Sequence, residues 1–407
     1  MNSELLSRVA IYSIPAFFAK AVSFILVPIY VANLTVTEFG IYDIMLLCGL
    51  ALRSLLTLGW SDANLRFFFE PSVSQKQLTI TLLIYRLLIQ VFVALILTTV
   101  GFTFLSNIIF NDPSYSGALV AVLLTFIAQD NICFFETRYR ALNMKYKFVA
   151  LQVFLTLSQL CLILIFLIHF NYGVSGIVWG ICIANSLLLL LCLTFDHKWL
   201  LTGSFDLKLF KRVMNYGLPL FPAAIAVLGI HAGDRFMLSL MLPYNEKFLA
   251  LGIYGLSLKF VAVLTLLTAG FQVFWAPYAL EEYNYNKEAP KFFSKIFRIY
   301  VLGLCLAIML ILITLPWVFE RFLIDYNGGQ IIIPILMTSM LIYSVGDYFC
   351  LGIMFFEKTK IRAYAAIISL VANIALNFAL IIKFGILGAA CATVLSSLIY
   401  VSILMFY

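Results

Sequence analysis

Four cations stand where cations are expensive. Lys20, Arg53, Arg86 and Lys259 sit inside runs of Val, Leu, Ile and Phe, and no acid lies one helical turn from Lys20 or Lys259. A charge in hydrocarbon must be paired or hydrated, so such residues face protein or a wet cavity. The chemistry open to them is anion binding by charge. On a helix, Lys20 shares a face with Ser13, Ala16 and Ser23, and Lys259 with Gly255, Ala262 and Thr265. Arg53 has Gly49 and Thr57 on its face. A small or polar stripe around a cation suits the wall of a water-filled cleft. The competing reading is structural: pairing with a buried Asp or Glu or, for Arg86 near the membrane surface, a long stem reaching back to the interface.

The apolar runs also hold Asp43, Asp130, Asp234 and Asp347. An acid inside a transporter bundle relays protons or binds Na⁺, which makes Asp130, Asp347 and Asp43 candidates for a coupling ion, H⁺ or Na⁺. The alternative is that each neutralises a buried Arg or Lys. Asp234 and Arg235, adjacent near a helix end, read as an interfacial structural pair. His169, His197 and His231 have no metal-ligand spacing, and the eight cysteines show no clustering of the metal or disulfide type. No Gly-rich phosphate loop is present. No metal, no cofactor and no ATP-driven motor are expected. The modest net charge of +7 calls for no nucleic acid partner.

The elements that position these charges are membrane helices. The 407 residues are 64% hydrophobic and 11% charged, whereas a soluble domain is about 25% charged. The expected fold is all-α and integral to a lipid bilayer. Twelve transmembrane helices are expected over about 9–33, 39–60, 78–105, 115–141, 147–170, 173–195, 211–242, 248–278, 291–318, 330–356, 361–383 and 385–406. The first run is too long for a signal peptide and lacks a small-residue cleavage site. Asn111-Asp112-Pro113, Asn171-Tyr172-Gly173 and Asn327-Gly328-Gly329 mark turns. No loop is long enough to hold a soluble domain. With the N-terminus taken as cytoplasmic, the far side carries only Lys247, Arg321 and Lys383, against many basic residues on the near side, among them Lys145, Lys147, Lys208, Lys211 and Arg212. That asymmetry places both termini in the cytoplasm. Pro15, Pro28, Pro219 and Pro222 interrupt the first and seventh helices, as hinges or as tolerated prolines.

The chain repeats itself. Phe39-Gly40-Ile41-Tyr42 matches Leu251-Gly252-Ile253-Tyr254 at an offset of 212. Tyr172-Gly173-Val174-Ser175-Gly176 matches Phe384-Gly385-Ile386-Leu387-Gly388 at the same offset, and Ser13-Ile14-Pro15 matches Gly217-Leu218-Pro219 at 204. Two six-helix bundles follow, over residues 1–203 and 204–407. An even number of helices per copy makes them parallel repeats, related by an axis along the membrane normal. Transporters built this way carry substrate between their halves and rock one against the other. Lys20 and Lys259 are then expected to face one central cavity, with Arg53 below them.

Tyr216-Gly217-Leu218-Pro219, Asp234-Arg235-Phe236, Gly252-Ile253-Tyr254 with Lys259, and Phe274-Trp275-Ala276-Pro277 resemble the polysaccharide-transporter family. So do Gly40-Ile41-Tyr42-Asp43, Leu58-Gly59 and Leu65-Arg66-Phe67. That family includes the O-antigen flippases, within the multidrug/oligosaccharidyl-lipid/polysaccharide exporter superfamily. The resemblance spans essentially the whole chain and implies two bundles around a V-shaped central cavity. It implies no enzyme, but alternating-access transport of an undecaprenyl-pyrophosphate-linked glycan across the bacterial inner membrane, from the cytoplasmic to the periplasmic leaflet. An ion gradient would drive it, and polysaccharide polymerase machinery would take up the product. The sign agrees, because the lipid pyrophosphate is anionic and the mid-membrane charges are cationic. Two other readings stay open. A cation-coupled multidrug exporter of the same fold would favour central acids without central cations. A membrane enzyme such as an O-antigen polymerase would need a larger non-cytoplasmic loop than the one near Glu320–Gln330.

Overall fold

The computed structural model describes residues 3–57, 60–68, 70, 72–200, 204–218, 221–285, 288–355 and 359–406. These are helical almost throughout. The helices are α1 (Ser3–Asn33), α2 (Val36–Thr57), α3 (Trp60–Phe68), α4 (Gln75–Val100), α5 (Phe102–Phe110), α6 (Ser116–Ala141) and α7 (Lys145–Leu164). There follow α8 (Gly173–Leu200), α9 (Leu207–Gly217), α10 (Phe221–Met241), α11 (Tyr244–Tyr285), α12 (Ala289–Phe322), α13 (Gly329–Phe355) and α14 (Thr359–Met405). Among the described residues, nine helices are long and apolar enough to cross a membrane. One of these, α14, is two helices joined at Gly385, whose φ of 56° breaks the helical path.

Two segments expected as single helices are divided. Gly101 takes φ 89° between α4 and α5, a conformation that glycine reaches without penalty. The segment 211–242 separates into α9 and α10 on either side of Pro219. Helix α9 is amphipathic: Leu209, Val213 and Gly217 are buried, while Lys208, Lys211 and Arg212 are exposed. Its N-cap Asp206 accepts the backbone N–H groups of Lys208 and Leu209 at 2.8 and 3.2 Å. Helix α1 runs unbroken through Pro15 and Pro28. Pro219 and Leu58-Gly59 lie outside the described residues. So do the side chains of Leu65, Arg66, His197, Pro222, His231, Phe274, Ala276 and Pro277.

The chain forms two compact units. One comprises residues 10–22 and 44–228. It is centred on Trp60, Phe67, Leu82, Tyr85 and Phe134, packed with Leu209 and Val213 of α9. The other comprises residues 1–9, 23–43 and 229–407, so the loop-proximal parts of α1 and α2 pack with the second half of the sequence. Within it, Tyr343, Cys350, Ala365, Tyr400 and Val401 form one core cluster.

The repeat reads out locally in each unit. Gly173, which opens α8, has φ 54°, and Gly385, 212 residues on, has φ 56°. Three residues later Gly176 lies on the Phe166 carbonyl, where a Cβ would stand 3.1 Å from the oxygen. Gly388 lies on the Leu380 carbonyl, where a Cβ would stand 2.3 Å away. Both glycines let a helix press on the backbone of the segment before it. All eight cysteines are free, with Cys182, Cys192 and Cys350 buried.

Candidate functional site

Lys20 is exposed on α1 and has no ion-pair partner among the described residues. Arg53 is exposed on α2. The acid that feels its field is Glu136 of α6, which also takes a hydrogen bond from Gln152 and lies near Arg140. Both cations belong to the unit that contains residues 10–22 and 44–228.

Arg86 is placed differently. Its side chain is 1% exposed and its Nε donates to Asp130 at 3.1 Å. Trp60 Nε1 and Gln90 Nε2 donate to the same carboxylate at 2.7 and 2.8 Å. Arg86 also donates to Asn131, and its guanidinium stacks over Trp60 and Phe134 at 4.6 and 5.0 Å. The candidate substrate cation and the candidate coupling acid are thus joined in one dry network. Arg86 offers no face to a solute in this conformation, because Trp60 of α3 and Phe134 of α6 cover its guanidinium. Asp347 of α13 has a more open counterpart of this arrangement in the other unit, taking a hydrogen bond from Gln272 at 3.2 Å and lying 3.5 Å from Arg362.

Asp43, Arg235 and Lys259 meet in the unit that holds residues 23–43 and 229–407. Asp43 is 5% exposed, and Arg235 Nη1 donates to its Oδ1 at 2.9 Å. Its Oδ2 is buried with no hydrogen-bond partner among the described residues. Gly255 makes room for the carboxylate: a Cβ there would stand 3.1 Å from it. One turn further along α11, half-buried Lys259 is attracted by Asp43 and repelled by Arg235. Unlike Lys20 and Arg53, Lys259 is therefore set among buried charges.

Asp234 does not share Arg235's partner, because neighbouring residues on a helix point to different faces. Its Oδ2 accepts from Tyr254 at 2.8 Å and Thr393 at 2.6 Å, and its Oδ1 from Asn377 at 2.8 Å. Asn377 donates as well to Asn373 at 2.9 Å, and Asn373 to Ser396 at 3.2 Å. Asn377 is fully buried and its Oδ1 has no partner among the described residues. The expected local pair is therefore two separate contacts. The Asp234 cluster gathers carboxylate, amide and hydroxyl groups, whose oxygens are of the type a small hard cation takes; here the N–H and O–H groups of Asn377, Tyr254 and Thr393 satisfy the carboxylate. A search guided by charge alone passes over it. Its sequence signal is the polar stripe Ser369, Asn373, Asn377 at intervals of four, facing Thr393 and Ser396. No group of three His, Cys, Asp or Glu able to hold a metal occurs among the described residues.

Buried charge networks threaded through long apolar helices define a multi-pass membrane protein. A family model described as "Polysaccharide biosynthesis protein" matches residues 5–279, and the chain belongs to that family. Among solved structures it is similar to "Lipid II flippase MurJ, inward closed conformation", at 17% identity and a TM-score of 0.75, over 97% of this chain and 86% of that one. It is similar also to an inward-facing multidrug resistance MATE family transporter of the MOP superfamily, at 12% identity and a TM-score of 0.72, over 98% of this chain and 96% of that one. A point mutant of the MATE transporter VcmN of Vibrio cholerae matches at 15% identity and a TM-score of 0.57, over 99% and 96% of the two chains. The fold is the one these transporters share. A search of curated protein sequences gave no match.

Proposed function

We propose that this protein is a flippase for a lipid-linked oligosaccharide, of the O-antigen type, carried on undecaprenyl pyrophosphate. It spans the bacterial inner membrane twelve times in two six-helix halves, residues 1–203 and 204–407, with both termini cytoplasmic. It moves its substrate to the periplasmic leaflet by alternating access and hands it to polysaccharide polymerase machinery. The carrying observation is Lys20, an exposed cation within a membrane span with no acid partner among the described residues. Such a charge needs water or an anion. The family match and the fold shared with a lipid flippase support the same reading. Lys20, Arg53 and Lys259 contact the pyrophosphate. Arg86 and Asp130 serve the frame, and Asp347 stays a candidate for the coupling acid. The Asp234 cluster is a second candidate for the coupling ion, with Na⁺ favoured by its neutral oxygen donors.

The test is leaflet-resolved detection of the lipid-linked glycan in cells lacking the protein. The glycan should accumulate on the cytoplasmic leaflet. Appearance on the outer leaflet at the wild-type rate would refute the proposal. A cation-coupled multidrug exporter is the second reading, prompted by the fold shared with MATE transporters. Unpaired cations in the spans repel cationic drugs. Ethidium transport by the reconstituted protein would restore this reading.

A further inference from the structure

The start of α2 and the start of α11 make a contact with a symmetry of its own. Gly40 lies against the carbonyl of Phe248: a Cβ added there would stand 1.8 Å from the oxygen and 3.0 Å from the backbone nitrogen of Gly252. Gly252 lies against the carbonyl of Val36, with a Cβ 2.1 Å from that oxygen. Positions 40 and 252, and positions 36 and 248, are each 212 residues apart, the offset of the internal repeat. The two glycines are therefore equivalent residues, each pressed onto the residue equivalent to the one that receives its mate. This is a self-complementary contact of the kind two copies of a subunit make about a two-fold axis, here made by two copies of a sequence within one chain. Only glycine permits it, since a methyl group at either position would meet backbone that cannot step aside.

The symmetry breaks one turn deeper, and the break is chemical. Asp43 is equivalent to Gly255, and the carboxylate fills the space that the glycine leaves. Had both copies carried Asp, two carboxylates would collide. Asp43 instead reaches Arg235 on α10 at 2.9 Å. Aromatic contacts between the repeats flank the pair: Phe24 meets Phe260 edge-on at 6.2 Å, and Phe39 meets Tyr326 at 6.3 Å. Each of these contacts joins a residue before position 44 to a residue after position 229.

We propose that the Gly40–Gly252 contact, pinned by Asp43–Arg235, is a latch that holds the two repeats together at the α1–α2 turn and must part for that side of the transporter to open. This rests on the flippase reading in one respect, the assignment of that turn to the periplasmic side. The glycine contact gives the latch an all-or-none character, because packed backbone either fits or separates. The ion pair makes it reversible. When the contact parts, Asp43 and Arg235 gain access to water, which lowers the cost of separating them. Lys259, one turn beyond Gly255 on α11, lies just past the parted pair.

The test reads which side is open and needs no substrate, so a failed transport assay and a failed latch are distinguishable. A single cysteine replaces Ala262, on the Lys259 face, in a background with the native cysteines replaced. A membrane-impermeant maleimide is added to right-side-out vesicles. Ala262 lies about 15 Å deeper along α11 than Gly252, at 1.5 Å per residue. Gly40→Ala and Gly252→Ala should each raise the labelling rate by roughly tenfold or more, as a tenfold shift of a two-state equilibrium does. Their equal effects would reflect their equivalence. Gly255→Ala, which meets only the movable Asp43 side chain, should do much less. Gly303→Ala, with nothing within 4 Å of the new methyl, should do nothing. Unchanged labelling in folded Gly40→Ala and Gly252→Ala overturns the latch. If neither folds, Asp43→Asn decides: it keeps the side-chain size and removes the attraction to Arg235. Labelling that rises supports the latch, and labelling at the parent rate overturns it.

Discussion

Arg86 and Asp130 hold each other 3.1 Å apart, each with a side chain 1% exposed. Neither charge reaches solvent, and the carboxylate is saturated by Trp60 and Gln90 as well. Removing one member of a buried pair leaves the other uncompensated, at a cost of about 3–5 kcal/mol. Asp130→Asn and Arg86→Met should each lower the melting temperature of the purified protein, and the double variant should recover part of the loss. The assay is thermal unfolding in detergent. Normal stability of Asp130→Asn with loss of gradient-dependent transport would instead make Asp130 the coupling acid.

Lys20 should act through its charge. Lys20→Arg is expected to keep much of the transport activity, Lys20→Ala to reduce it, and Lys20→Glu to abolish it, all at unchanged protein level. Lys259 should follow the same order. The Glu variant at 259 carries an added burden, because it sits in the field of Asp43. Wild-type export by well-expressed Glu variants at both positions would disprove anion contact by these lysines.

The Asp234 cluster makes a prediction that needs no transport assay. A ligand that binds only the folded state stabilises it by mass action, by about 2.7 kcal/mol at one hundred times its Kd. Na⁺ should raise the melting temperature of the parent protein more than K⁺ at equal ionic strength. Thr393→Ala and Asn377→Ala should weaken that response, and Asp234→Asn should remove it. Equal responses to the two salts in the parent protein would rule out a Na⁺ site there.

Topology is open to reporter fusions. Fusions after Lys147 and after Phe210 should report cytoplasm, and one after Asp112 periplasm. Helix α9, with Lys208, Lys211 and Arg212 on its exposed face, fits the cytoplasmic surface. A periplasmic signal at Phe210 would break the proposed orientation.

The chain's apolar runs, turn residues and internal repeat were enough to establish that it is an all-helical membrane protein. Gly173 and Gly385, matched by sequence alone, both take a positive φ, 54° and 56°. Local signals suffice there, because helix formation and chain reversal depend on neighbours in sequence. The sequence also located Lys20, Arg53, Arg86, Lys259 and the four aspartates within the apolar runs, though not Glu136 of α6, and it could not say what each charge meets. Asp43 finds Arg235 across 192 residues, Arg86 finds Asp130 across 44, and Asp234 gathers Tyr254 from α11 and Asn377 and Thr393 from the two helices of α14. A buried charge takes its partner from whichever helix face packs against it, and helix packing follows from the fit of whole surfaces. Gly40 and Gly252 carry both lessons: the offset of 212 was visible in the letters, but only the folded chain brought the two copies into contact, because a backbone carbonyl can approach so closely only where both helices lack a side chain.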